Sequence, residues 1–150
     1  MKVVDLKRSE SKYIQQYVDL RNHYQDFLLC NTVSLESTVE WLERANVVVR
    51  AILCEDKLLG ASVLYYDRDG EVAFFALEQG KGIGSALLKA IEEVAIKQGI
   101  PLIWAWMLED NNIARRAFEK NGFVLFEHSS RVYNAQLKRG VVFRKILRIV

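Results

Sequence analysis

The residues whose types and spacing most clearly suggest chemistry are three glycines, Gly80, Gly82 and Gly84, which lead into a helical pattern. Without Cβ atoms they let a ligand approach the main chain, and the first N–H groups of the following helix are free to bind an anion. The helix dipole adds about half a positive charge at the same point. The stretch therefore predicts a phosphate-binding turn with Ser85 at the start of the helix.

A second patterned stretch, which carries Asn111, Ala114, Gly122 and Phe123, follows Gln79 and the glycine turn at a distance that allows one helix and one strand between the two. Together they resemble the GNAT superfamily of N-acetyltransferases, whose hallmarks are Gln/Arg-x-x-Gly-x-Gly/Ala in a loop and Asn-x-x-Ala-x-x-x-Tyr-x-x-x-Gly-Phe further on. The strong part of the resemblance runs from about Val72 to Phe123. The matching positions are Gln79, Gly82 and Gly84 in the first hallmark and Asn111, Ala114, Gly122 and Phe123 in the second.

This resemblance implies acetyl-CoA as the acyl donor, with its pyrophosphate on the main-chain N–H groups of the glycine turn and the Gln79 side chain nearby. Lys81 is either a phosphate partner or a solvated charge. The residues implied in cofactor binding here are Gln79, Gly80, Lys81, Gly82, Ile83, Gly84 and Ser85.

The strand before the turn is implied in binding the pantetheine arm. In the family this strand and the next splay apart, so Phe75, Ala76 and Leu77 are expected to contact the cofactor through their main chain. One N–H there would polarise the thioester carbonyl. Downstream, the family match places Asn111, Ala114 and Phe118 on the cofactor. Asn111 is equally well explained as a helix cap.

Phe118 departs from the family pattern, in which a tyrosine donates a proton to the departing CoA thiolate. Either another acid replaces it, or the thiolate leaves unassisted, or the protein no longer transfers acyl groups. A CoA thiol has a pKa of about 8.5, near that of a free cysteine, so the loss of an acid need not abolish turnover. Tyr133 is the candidate replacement, unless it is a surface or packing residue.

The amine nucleophile must be neutral to attack, so a base is expected. Glu71 occupies the region from which some relatives supply a carboxylate, although an exposed strand-end charge is the simpler interpretation. His23 could serve as the base instead, unless it is packed or solvated. Tyr65, Tyr66 and Asp67 are further candidates at the expected edge of the cleft.

The first helix carries the candidate acceptor residues Arg21, Asn22 and Tyr24. Arg-Asn followed by Ser-x-Glu and Trp-Leu is similar to relatives that acetylate amino-sugar nucleotides. Arg21 could answer a phosphate or carboxylate, or it is an exposed helix charge. Trp104 and Trp106 share a strand face and are expected in the core.

Composition limits the remaining classes. The 150 residues predict a single domain, 1–150, and a net charge of +2 from 21 basic and 19 acidic residues predicts no nucleic-acid partner. Cys30 and Cys54 lack the spacing of a metal site or a disulfide framework. Because the amino terminus has no signal-peptide core and no apolar run reaches the about 20 residues of a membrane span, we expect a cytoplasmic protein without membrane contact.

The hydrophobic periods predict the order strand, two helices, three antiparallel strands, helix, strand, helix and two strands. One helix is expected to carry Tyr13, Tyr17, Leu20, Tyr24, Phe27 and Leu28 on one face. Residues 130–140 have no clear period and are expected to form a loop. The fold class is α/β (α+β), with a GNAT-like, mostly antiparallel mixed sheet of about six to seven strands and about four flanking helices.

The sequence thus predicts an N-acetyltransferase that moves an acetyl group from acetyl-CoA to a primary amine of a small molecule or amino sugar by direct attack in a ternary complex. The alternatives are a non-catalytic acyl-CoA-binding domain and a peptide or protein amine acceptor, and a homodimer is left open. A dinucleotide-binding loop is disfavoured, because Leu87 stands where the third glycine would be sought.

Overall fold

The computed structural model describes residues 1–44, 46–77 and 82–148. Within them, seven strands form one sheet, accompanied by four α-helices of nine residues or more, one four-residue α-helix and two 3-10 helices, Leu6–Arg8 and Tyr66–Arg68. The strands are β1 (Lys2–Asp5), β2 (Val47–Cys54), β3 (Lys57–Tyr65), β4 (Glu71–Ala76), β5 (Leu102–Leu108), β6 (Val124–Tyr133) and β7 (Gln136–Ile146). The helices are α1 (Ser11–His23), α2 (Gln25–Leu28), α3 (Leu35–Glu43), α4 (Ile83–Lys97) and α5 (Asn112–Lys120).

The sheet order is β1-β2-β3-β4-β5-β7-β6, and its neighbours are antiparallel except for the parallel pair β4 and β5. Helices α1 and α3 cover one face, where Tyr17 and Leu42 join the apolar residues of β2 and β3. Helices α4 and α5 cover the other, where Ile91 and Phe118 pack on β5 and β7. This architecture confirms the predicted mixed, mostly antiparallel sheet with flanking helices.

Local signals set the helix ends that matter for the site. Helix α4 is preceded by Gly82 with a φ of +75° and followed by Gly99 with a φ of +73°, a region that side chains rarely adopt. The Asn111 side chain caps α5 by accepting a hydrogen bond from the Ala114 N–H. These ends fix where the glycine turn meets α4 and where α5 starts.

The predicted single first helix is divided in two. At Tyr24, φ is −98° and ψ is 13°, which ends α1 and starts the four-residue α2; the latter ends at Leu29 in the left-handed region. The apolar period continues through the break, so periodicity alone did not reveal it.

Residues 130–140 form no loop, contrary to expectation. They are the outer end of a hairpin in which β6 and β7 pair as far as Tyr133 and Gln136. The connection is the two residues Asn134 and Ala135, both with positive φ, a backbone that matches the twist of a tight hairpin. Alanine is not a usual residue at such a position, so this turn has no recognisable sequence signal.

The prediction that Trp104 and Trp106 lie in the core is also wrong. The buried face of β5 carries Ile103, Ala105 and Met107, and the two tryptophans are half-buried on the opposite face. Of the helices in the described ranges, none has the length and apolar character that a membrane crossing requires.

Candidate active site

Strands β4 and β5 separate at the middle of the sheet. Among the described residues they pair at one position, Glu71 with Trp104, where the Trp104 N–H donates to the Gly70 carbonyl at 3.2 Å. Beyond it, β4 stays paired with β3 as far as Ala76, and β5 stays paired with β7. The separation opens a cleft of about 480 Å³ between the two halves of the sheet.

Among the described residues, the main chain of β4 beyond Glu71 has no strand partner on the cleft side. Successive residues of a strand direct their N–H and C=O groups to opposite neighbours. The Leu77 N–H donates to the Leu59 carbonyl of β3 at 2.7 Å. The main-chain N–H and C=O groups of Phe75 and Leu77 therefore face β3, whereas those of Phe74 and Ala76 face the cleft. The main chain that faces the cleft is thus that of Phe74 and Ala76, whereas the prediction named Phe75, Ala76 and Leu77. Phe75, Ala76 and Phe74 nevertheless all line the cleft.

Aromatic rings form both walls of the cleft. On the α1 side, the Phe75 ring lies 5.5 Å from that of Tyr17 and 6.4 Å from that of Tyr24. On the α5 side, Phe74 lies 5.3 Å from Phe118. Side chains alternate along a strand, so neighbouring residues of β4 serve opposite walls.

The start of α4 presents open main chain next to the Ala76 end of the cleft, although Gly82 and Gly84 are not among the described lining residues. A Cβ at Gly82 would meet nothing within 4 Å, and one at Gly84 would come within 3.0 Å of the Phe74 ring. Ile83 is buried in a small cluster with Ile52 and Leu87, which anchors the first turn of α4. The predicted positions Gln79, Gly80 and Lys81 lie outside the described residues.

Helices α4 and α5 are tied together beside this end. The Asn121 side chain donates to the Ser85 hydroxyl at 3.1 Å and to the Ala117 carbonyl at 2.7 Å. Asn111 and Ala114 line the cleft at the start of α5. The cap uses the Asn111 side-chain oxygen, so its NH₂ group is the donor that can face a ligand.

Glu71 lies at the opposite end of β4 and is buried, not exposed as the simpler interpretation predicted. Its two oxygens accept hydrogen bonds from Arg68 at 3.2 Å and from Arg131 at 2.9 Å. The Arg68 guanidinium stacks on the Tyr65 ring at 4.2 Å, and that of Arg131 stacks on Trp106 at 4.7 Å. One carboxylate thus holds two cations, each supported by an aromatic ring.

A cleft between diverging parallel strands, with a glycine-led helix at one end, is set up to hold an extended ligand that carries phosphates. The model of the acetyltransferase (GNAT) family matches residues 14–123. The chain belongs to this family. It is therefore an acyl-CoA-dependent N-acetyltransferase, with acetyl-CoA as donor and an amine as acceptor.

Solved structures agree with this fold. A ribosomal-protein-alanine N-acetyltransferase from Brucella melitensis superposes with a TM-score of 0.83 at 18% identity, covering 98% of this chain and 100% of its own. A putative acetyltransferase from Salmonella typhimurium, solved with its cofactor acetyl-CoA, gives 0.85 at 15% identity, covering 98% and 94%. No curated protein sequence matches the chain significantly.

The cleft of this GNAT acetyltransferase fits acetyl-CoA without a metal ion. The unpaired main chain of Phe74 and Ala76 and the open space at Gly82 suit a flexible amide-containing arm that ends in phosphates. Residues 1–44, 46–77 and 82–148 contain no group of three or more His, Cys, Asp or Glu side chains that could hold a metal.

The three predicted acceptor residues have different surroundings. Arg21 and Tyr24 line the cleft, and the Arg21 guanidinium donates to the Asn31 carbonyl at 2.7 Å. Asn22 is not among the described lining residues, and its amide exchanges two hydrogen bonds with the Val33 main chain at 2.9 and 3.0 Å. It fastens the chain after α2 to α1.

Tyr133 lies at the tip of the hairpin, outside the described lining residues. Its hydroxyl is 3.4 Å from the Asp26 carboxylate and 3.2 Å from the Cys30 carbonyl. Burial and the nearby Asp26 raise the pKa of this hydroxyl, so it stays protonated at neutral pH. Tyr65 does line the cleft, and burial raises its pKa as well.

Sequence reasoning missed Arg68, Arg131, Trp106 and Phe74 as cleft residues. Arg68 carried a signal, since it lies three residues before Glu71 across the turn into β4. Arg131 and Trp106 carried none, because their contacts join β4 and β5 to β6, a pairing that depends on the unrecognised hairpin.

Proposed function

We propose that this GNAT enzyme acetylates the primary amine of a small molecule, such as an amino sugar, by direct attack on acetyl-CoA in a ternary complex within one domain, 1–150. The observation that carries the proposal is the separation of β4 from β5, which opens a cleft with a charged end at Glu71. The start of α4 adjoins its other end, because Phe74 and Ala76 pack against Ile83 and Leu87. A cleft of about 480 Å³ has the size of small-molecule sites.

The donor half of the cleft is built from main chain. The N–H groups of Gly82 to Ser85 at the start of α4 bind the anionic end, and the main chain of Phe74 and Ala76 binds the amide-containing arm. When bound, acetyl-CoA supplies the activated acetyl thioester. The contributions of Gln79, Gly80, Lys81, Asn111, Ala114, Phe118, Phe75 and Leu77 stay predictions.

The acetyl group passes directly to the amine, because the described residues that line the cleft include no activated nucleophile. Cys30 lines it, but burial raises the pKa of its thiol, which keeps it in the weakly nucleophilic protonated form. Cys54 is exposed at the end of β2, away from the cleft.

Acetyl transfer involves two proton transfers, one from the attacking amine and one to the departing thiolate. The base role of Glu71 stays a prediction. Both of its oxygens already accept guanidinium hydrogen bonds, from Arg68 and Arg131. The acid role of Tyr133 also stays a prediction. Phe118 lies in the cleft wall and has no proton to donate. The CoA thiol has a pKa of about 8.5, which is consistent with departure of the thiolate without a donated proton.

The test is thiol release from acetyl-CoA with a panel of amino sugars, small primary amines and peptides with a free amino terminus. The mass of each product identifies the acetylated acceptor. Turnover of amino sugars or small amines above peptides supports the proposal, and turnover of peptides alone would replace it with a peptide acceptor. The cytoplasmic location and a homodimer stay predictions.

A further inference from the structure

Most of the charged side chains that line the described part of the cleft are positive. Among the described residues that line it, the charged side chains are three arginines, Arg21, Arg68 and Arg131, and one carboxylate, Glu71. Even with Glu71 ionised, the lining carries an excess of positive charge. A cleft lined by one sign of charge attracts a ligand of the opposite sign.

Two of these cations, Arg68 and Arg131, are fixed in position by Glu71. Glu71 is only 8% exposed at its side chain and binds one guanidinium on each oxygen. The rings of Tyr65 and Trp106 support the guanidinium planes, and the Trp106 N–H is fixed by the Ser129 carbonyl at 3.0 Å. Each guanidinium has five N–H donors, and the bond to Glu71 uses one of them. Donors therefore remain for a ligand in the cleft.

These cations are too far from the glycine turn to serve the pyrophosphate of the donor. Glu71 and Ala76 are the first and last residues of β4, and five residues of strand span about 17 Å. The first turns of α4 pack against Phe74 and Ala76 through Ile83 and Leu87, so the start of α4 meets β4 at its Ala76 end. The arginines thus lie at the end where the acceptor must enter.

Arg21 approaches from α1. It lies beside the Tyr17 hydroxyl and donates to the Asn31 carbonyl, so its position is fixed by neutral groups and its charge is not paired in these contacts. The three guanidinium groups come from α1, the turn before β4, and β6. Separate elements therefore place cations around one end of the cleft.

We infer that the acceptor is an amine that also carries an anionic group, a phosphate or a carboxylate, bound by Arg68 and Arg131 with Arg21 contributing to the attraction. The planar guanidinium binds both groups in bidentate fashion. Glu71 is then a positioning residue that orients the two cations. The inference rests on the proposed function and names the class of its acceptor.

Matched acceptor pairs test it. Glucosamine 6-phosphate is compared with glucosamine, and a free α-amino acid with its amide, by thiol release at saturating acetyl-CoA. We expect kcat/KM to be at least tenfold higher for the charged member of one pair, and the difference to shrink in high salt. The pair that shows it distinguishes phosphate from carboxylate.

Variants connect the preference to the arginines. Arg131→Gln and, separately, Arg21→Gln should lower the charged-to-neutral ratio of kcat/KM at least tenfold and fivefold. Arg144→Gln is the matched control, because this β7 arginine also stacks on an aromatic ring, Phe126, at 3.8 Å but is not among the described lining residues. It should leave the ratio unchanged. Arg21→Gln remains informative if Arg131→Gln destabilises the fold by leaving Glu71 with one partner.

Two failures are distinguishable. Equal kcat/KM for both members of every pair, or a ratio that Arg131→Gln and Arg21→Gln leave unchanged, would overturn the inference while the enzyme still acetylates amines. If the protein binds acetyl-CoA but releases no CoA thiol with any small amine, the proposed function itself is wrong, and the inference fails with it.

Discussion

Glu71 and Arg131 are 60 positions apart in the chain, yet their side chains meet at 2.9 Å between Oε2 and Nη2. The contact reaches from β4 to β6, which lie on opposite sides of β5 and β7 in the sheet. It closes one end of the cleft that separates β4 from β5. This end of the cleft is therefore organised by an ion pair between distant segments, in which the carboxylate is buried.

Replacing Glu71 by glutamine should disturb acceptor binding more than chemistry. Glu71→Gln keeps the shape but removes the charge that holds Arg68 and Arg131, so we expect the KM of the acceptor to rise about tenfold, equivalent to about 1.4 kcal/mol. Steady-state kinetics at saturating acetyl-CoA measures this. Glu92→Gln, which breaks the ion pair between Glu92 and Lys145 at 2.8 Å outside the cleft, is the control. A fall of 100-fold or more in kcat with loss of the acidic limb of the pH profile would instead establish Glu71 as the base.

A negative charge at Gly82 should weaken acetyl-CoA binding. Asparagine and aspartate both tolerate the positive φ of this position, so Gly82→Asp and Gly82→Asn differ in charge alone. We expect Gly82→Asp to bind acetyl-CoA at least tenfold more weakly than Gly82→Asn, with a smaller difference in high salt. Calorimetric titration of both variants measures it. Equal affinities would exclude the pyrophosphate from the start of α4.

A hydroxyl at position 118 should assist departure of the thiolate. Phe118 lines the cleft between Phe74 and Phe123, so Phe118→Tyr restores the group that the family commonly carries there. We expect kcat to increase severalfold at pH 7 and to change little above pH 9, where the thiolate needs no proton.

The control for this gain is Phe123→Tyr, which adds a hydroxyl to the same aromatic cluster at a residue outside the described cleft lining. It should lower stability without raising kcat. If Phe118→Tyr folds, binds acetyl-CoA normally and gains nothing at pH 7, protonation of the thiolate does not limit the rate.

Tyr133→Phe separates a bridging role from an acid role. The hydroxyl joins the hairpin tip to Asp26 and Cys30, so its loss should lower the free energy of unfolding by about 1 kcal/mol. We expect kcat at pH 7 to stay within threefold. Tyr13→Phe, which removes one tyrosine bond to Asp56 on the surface at 3.1 Å, is the control. A fall of more than tenfold in kcat with unchanged acetyl-CoA affinity would make Tyr133 the acid.

The parts of the fold that the sequence predicts are those with local signals. Glycines at 82 and 99 bound α4, and Asn111 caps α5, because the main chain there needs a positive φ or a side-chain acceptor. The tip at Asn134 and Ala135 lacked such a signal, and the hairpin was missed.

The Glu71 end of the cleft depends on contacts that no local pattern contains. Glu71 was identified as a candidate, but its burial and its pairing with Arg131 follow from the position of β6 next to β7. The choice of Phe74 and Ala76 as the exposed main chain likewise depends on which neighbour receives the Leu77 N–H. The spacing of residues in the sequence identifies the candidates, and the sheet register determines which way their main-chain groups face.

The affinity of the protein for acetyl-CoA tests the central claim most directly. Calorimetric titration should show saturable binding of acetyl-CoA and none of NAD, and acetyl-CoA should raise the melting temperature, because a ligand that binds only the folded form stabilises it. Absence of acetyl-CoA binding in a protein shown to be folded would contradict the assignment of the cleft between β4 and β5 as the donor site.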